Sequence, residues 1–221
     1  GGYDMCFRYS HFLGTAAAGA LLLVGSPGNA SATDDARAWR FKVYLDDKAI
    51  GWHTFDLNRA DGTLRSEARY DVKFLFVTAY SYAHEATELW DGRCLTRMDA
   101  STDNNGKVSS LQGRRDDGGF VVEVQNKQEQ LPGCVQSFAY WDPSILSATR
   151  LLNAQTGEYV PVETTRLGRQ QISVRGDQVQ AQAWRIQARK MQIDLWYSDD
   201  GEWLALQAPT ESGRVLRYEI Q

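Results

Sequence analysis

"WRFKVYLDDKAIGWHTFDL", residues 39–57, settles the class of fold. Trp39, Phe41, Val43 and Leu45 alternate with Arg40, Lys42 and Tyr44, which is the period-two pattern of a strand with one buried face. Asp46-Asp47-Lys48 is a turn, and the chain then runs back through "AIGWHTFDL". Two strands joined by a tight turn are the unit from which the remaining sequence is built.

Working outward, Asp61-Gly62 closes the second strand and "LRSEARYDVKFLF" places Leu64, Ser66, Ala68, Tyr70, Val72, Phe74 and Phe76 on one side. "VTAYSYAHEATELW" ends at Asp91-Gly92, and further turns fall at Asn104-Asn105-Gly106, Gly118-Gly119, Arg175-Gly176-Asp177, Asp199-Asp200-Gly201 and Glu211-Ser212-Gly213. The pattern predicts an all-β chain, an antiparallel meander of about a dozen strands. So many strands cannot stay flat without exposing an apolar face, so a coiled sheet, an open or half barrel, is expected.

One passage breaks the alternation, "AYWDPSILSATRLLNAQTGEYV", residues 139–160. Asp142 before Pro143 is a helix start, a carboxylate N-cap followed by proline at the first helical position. Ile145, Leu146, Thr149, Leu152 and Asn153 follow at helical spacing and Gly157 can end the segment, so one short helix is expected here as a plug or lid on the sheet.

The first residues are different in kind. Arg8 and His11 precede "GTAAAGALLLVG", and the small residues Ala30-Ser31-Ala32 follow, which is the arrangement of a secretory signal peptide cleaved before Thr33. The expected division is therefore a leader, residues 1–32, and a single β-rich domain, residues 33–221, exported to the periplasm and carrying no membrane span once mature. Cys6 would leave with the leader. The two remaining cysteines, Cys94 and Cys134, form an even pair in an exported chain, and a disulfide between them is expected.

Composition narrows the function. With 43% hydrophobic and 24% charged residues and a formal net charge of −4, the chain has the makings of a packed core and no basic stripe, so nucleic acid is not an expected partner. No nucleophile elbow, P-loop, dinucleotide fingerprint or metal-ligand spacing occurs, so no catalytic residue, metal or cofactor is assigned. His53 and His84 read as solvent-facing strand residues. The pairs Asp46-Asp47, Asp116-Asp117 and Asp199-Asp200 read as turn aspartates. Aromatic residues reach 11%, and Trp39, Trp52, Trp90, Trp184, Trp196 and Trp203 fall on strands as core or cavity lining. Tyr140 and Trp141, next to the Asp142 cap, can staple the helix to the sheet or line the mouth of a pocket. Gln155 and Thr156, beside Gly157, can orient a ligand or cap the helix end. Tyr140, Trp141, Asp142, Gln155 and Thr156 are accordingly the candidate ligand-binding residues.

The passage "YWDPSILSATRLLNAQTGEYVPV", together with "FKVYLDDKAIGWHTFDL" and "WYSDDGEWLAL", resembles the exported bacterial proteins grouped as domain of unknown function 6134. The resemblance implies a periplasmic or cell-surface β-rich protein and carries no activity with it. At the level of fold alone, coiled-sheet periplasmic lipoprotein carriers offer a more distant analogy. The expected function is thus a periplasmic binding or carrier protein for a lipid or other hydrophobic molecule. An envelope hydrolase acting on a glycan or ester through Asp142 and His84, or a structural or assembly role, is the alternative. The volume and polarity of the space beneath the Pro143–Leu152 stretch discriminate between an open carrier and a filled scaffold.

Overall fold

The computed structural model describes residues 35–74, 77–189 and 191–221; the expected signal peptide and its cleavage site lie outside the described residues. Eight strands follow one another, each antiparallel to the last: β1 Ala36–Leu45, β2 Lys48–Asn58, β3 Thr63–Phe74, β4 Val77–Asp91, β5 Cys94–Asn104, β6 Lys107–Asp116, β7 Gly119–Val124 and β8 Lys127–Leu131. A crossing segment, residues 132–162, carries a short hairpin of β9 Arg150–Leu152 and β10 Tyr159–Pro161. A second meander completes the chain with β11 Glu163–Val174, β12 Asp177–Ala188, β13 Met191–Tyr197, β14 Trp203–Pro209 and β15 Val215–Ile220.

The two meanders are joined at their first and last strands, β1 pairing with β15 in the register Val43↔Tyr218. The result is one open row of thirteen strands, β11-β12-β13-β14-β15-β1-β2-β3-β4-β5-β6-β7-β8, as the alternation predicts. This topology dictates the crossing segment. Strands β8 and β11 occupy opposite ends of a row about 58 Å wide if flat, at roughly 4.8 Å per strand, so their connection has to traverse the sheet. It does so over the apolar face, where Val135, Ala139, Ile145, Leu151, Leu152, Val160 and Val162 are buried against the sheet's own core.

That face is concave. Phe55 on β2 and Trp203 on β14 are three places apart, about 14 Å in a flat sheet, yet their ring centroids lie 5.2 Å apart. Phe41 fills the angle between them, 4.2 Å from Trp203 and 6.3 Å from Phe55. Trp39, Phe41, Val43 and Trp203 are at most 1% exposed, each ring or side chain contributing about 2–3 kcal/mol of burial. Tight turns set the register: Asn105 and Gly106 both hold positive φ, 54° and 86°, the requirement of a two-residue hairpin.

Two expectations are corrected. The helix expected to continue from Asp142 toward Gly157 is a single 3-10 turn, Pro143–Ser147, and Ala148 is already extended. Leu152 explains the stop: its N–H donates to Gln136 O and its carbonyl accepts from Phe138 N–H, so its backbone belongs to a ladder rather than a helix. Gly157 turns the β9–β10 hairpin instead of ending a helix, with φ at 74°. Trp52, expected in the core, is 39% exposed. A register shift at Val43/Tyr44 leaves Ile50 as the extra residue on β2 and changes the phase of the residues after it.

Candidate functional site

The Asp142-Pro143 turn is built as the sequence predicts. Asp142 Oδ1 accepts from Ser144 N–H at 2.9 Å and Oδ2 from the Ser144 hydroxyl at 2.7 Å. Gln136 Nε2 donates to the same Ser144 oxygen, 3.0 Å away. Tyr197 on β13 donates its hydroxyl to the Tyr140 carbonyl at 2.8 Å, and the Tyr140 ring lies 5.4 Å from Trp203. The Cys94–Cys134 bridge, with Cα atoms 5.0 Å apart, ties the start of the crossing segment to β5. Beside it Leu95 N–H donates to Val135 O at 2.8 Å.

These anchors set Trp141 between two sheet tryptophans, 6.3 Å from Trp39 and edge-on to Trp90 at 5.5 Å. The three indoles and Leu57 floor a cleft of about 670 Å³ at the end of the sheet where β2 turns into β3 and β4 into β5. Its rim carries Arg37, Arg59, Asp61, Asp91, Asp142 and Asp200. The volume is that of a small-molecule site. Arg37 stacks its guanidinium 4.9 Å above the Trp39 ring. Hydrogen bonds from Thr63 hold the Asp61 carboxyl below its ordinary value, and a hydrogen bond from Ser198 does the same for Asp200, so both carboxylates are charged at neutral pH beside the rim arginines. The indole nitrogens of Trp39 and Trp141 are buried and have no hydrogen-bond partner in the protein. An unmade donor of this kind ordinarily costs about 1–3 kcal/mol.

On its other side Trp141 lines a second, smaller space, about 120 Å³, between the crossing segment and the inner face of β2–β4. His53, His84 and Glu88 line it among Phe55, Leu64 and Phe138. Glu88 is 5% exposed; it accepts from Ser137 Oγ at 3.1 Å and from Trp90 Nε1 at 2.9 Å. Burial pushes its carboxyl up to about 7, against the pull of those two hydrogen bonds. Burial pushes His53 down to about 3 and His84 down to about 4, so both imidazoles are neutral. Among the described residues no three His, Cys, Asp or Glu side chains are grouped to hold a metal ion.

Residues 41–221 match the profile of Domain of unknown function (DUF6134). The chain belongs to that family. No curated protein matches the sequence significantly. Among solved structures, the chain is similar to a β-barrel-like protein of Domain of Unknown Function DUF1849 from Brucella abortus, at 13% identity and a TM-score of 0.60, over 83% of this chain and 94% of that one. At that identity the likeness concerns the fold alone.

In this DUF6134 protein the candidate residues divide between the two spaces. Trp141 and Asp142 line the cleft, Tyr140, Trp141 and Gln155 line the inner cavity, and Thr156 lines neither. The Thr156 hydroxyl accepts from Glu158 N–H at 3.3 Å as part of the β9–β10 turn. Asp142 and His84 are not brought to one space. Both histidines face inward, correcting the solvent-facing expectation: His84 is 6% exposed and bonds Thr102 Oγ1 at 2.8 Å through Nδ1. Glu88 was not singled out by sequence, although it keeps period two with Tyr82, His84, Ala86 and Trp90, all buried.

Proposed function

We propose that this DUF6134 protein is an exported, periplasmic binding protein whose ligand site is the cleft floored by Trp39, Trp90 and Trp141. The ligand is an amphipathic small molecule, its apolar part lying on the indoles and its polar part meeting the rim. The observation that carries this reading is the pair of buried, unpartnered indole N–H groups, on Trp39 and Trp141, in residues that line one cleft of small-molecule size. The Cys94–Cys134 bridge suits an oxidising compartment, in keeping with export.

The inner cavity, about 120 Å³, is too small for an acyl chain or a drug-sized molecule, so a lipid ligand would sit in the cleft and not within the sheet. Native mass spectrometry of the mature protein purified from the periplasm tests the proposal. A bound amphiphile retained by the wild type and lost from W39F/W141F, with unchanged folding, supports it. The filled concave face favours one other reading, a structural part of the envelope, and ligand-free protein that fails to take up any amphiphile supports that reading instead.

A further inference from the structure

Beside the inner cavity a hydrogen-bond relay ends at His53, which lines that cavity and has an unpartnered ring nitrogen. The Tyr70 and Tyr218 hydroxyls bond each other, and His53 Nδ1 lies 3.1 Å from Tyr218 Oη and 3.4 Å from Tyr70 Oη. Each hydroxyl has one proton to give. Both are used when one hydroxyl donates to the other and the second donates to His53 Nδ1, and in either order Nδ1 is the acceptor. The imidazole is neutral, so its remaining proton sits on Nε2. That nitrogen is buried and meets no partner in the protein, although His53 lines the cavity.

The surroundings define what would complete it. Among the described residues no lysine or arginine lines the cavity, and its ionisable side chains include the Glu88 carboxyl and two neutral imidazoles, so an anion finds little to offset its loss of hydration. Most of the remaining wall is apolar, from Phe55, Leu64, Ala86 and Phe138. A cavity of about 150 Å³ accepts a benzene-sized molecule, so about 120 Å³ sets the limit near five or six non-hydrogen atoms.

We propose that this cavity is a second binding site, for a small uncharged carbonyl compound whose oxygen accepts from His53 Nε2–H and whose alkyl part packs on Phe55, Leu64 and Phe138. It is distinct from the cleft, and stands or falls independently of what the cleft binds. The test is a titration of the folded protein with butanone, followed by the ¹⁵N resonance of His53 Nε2, with propionate at neutral pH as the charged counterpart. Saturable movement of that resonance by butanone and none by propionate is the expected result. His53→Phe removes the donor and Ala86→Leu fills the space from β4, two strands away, while keeping the His53 donor; each is expected to weaken butanone binding by about tenfold or more. Should His53→Phe fail to fold, Ala86→Leu alone carries the comparison. No movement with butanone, equal movement with propionate, or undiminished binding by Ala86→Leu overturns the proposal and leaves a cavity that holds water only.

Discussion

Trp90 donates its indole N–H to Glu88, 2.9 Å away, so two residues of one strand share a buried hydrogen bond on the inner face of β4. Ser137 Oγ donates to the other carboxylate oxygen at 3.1 Å, which makes Glu88 a tie between the sheet and the crossing segment.

That tie is pH-dependent. Burial raises the Glu88 carboxyl from its ordinary 4.5 to about 7, so the folded state holds a proton that the unfolded chain releases earlier. The stability this confers is complete below about 4.5 and is lost as pH rises through about 7. Glu88→Gln removes the titration while keeping an amide oxygen as acceptor. Urea unfolding of the two proteins at pH 5 and pH 8 is expected to shift in favour of Gln by about 2 kcal/mol over that interval. His53 and His84, lowered by burial, act in the opposite window. Their contribution is present above about 6.5 and is lost as pH falls toward 4 and 3, in both proteins alike.

The bridge between Cys94 and Cys134 spans 40 residues and fixes the point where the chain leaves β8 to cross the sheet. A loop of that length stabilises by about 4 kcal/mol in the chain-entropy account. Cys94→Ser/Cys134→Ser is expected to lose 2–4 kcal/mol on that same scale, roughly, in chemical denaturation. Hydrogen exchange is expected to rise first at the Leu95 N–H that bonds Val135 O.

Gly157 holds φ at 74° and an added Cβ would lie 2.4 Å from Val124 Cγ2. Gly157→Ala therefore combines backbone strain with a core clash and is expected to cost about 2–3 kcal/mol, measured by the denaturation midpoint. Gly92, equally positive in φ but with open space around it, serves as the control, its alanine variant costing about 1 kcal/mol from strain alone.

Much of this architecture is legible in the residues. The alternation of Trp39, Phe41 and Val43 and the turn pairs such as Asp61-Gly62 and Asp91-Gly92 locate the strands because each signal is local. The Asp142 cap is legible for the same reason, and the Cys94–Cys134 pair because these are the two cysteines outside the expected leader. What escapes is set by partners distant in sequence. The turn at Pro143 stops at Ser147 because Leu152 finds ladder partners in Gln136 and Phe138. Trp52 and His53 exchange their expected sides because β2 bulges against β1. The cleft could not be read at all, since Trp39, Trp90 and Trp141 come from three separate parts of the chain and meet only when the crossing segment is laid down. Glu88 was within reach, its place in the buried period of β4 being visible once that strand's inward face is fixed.

The cleft is tested most directly by titrating the folded protein with n-octyl glucoside below its micellar concentration, following tryptophan fluorescence, beside W39F/W141F. Saturable binding by the wild type and roughly tenfold or greater weakening in the variant is the predicted result, since the ligand's acceptors lose two indole N–H donors. A fluorescence response that never saturates, or an equal affinity in the folded variant, would contradict it.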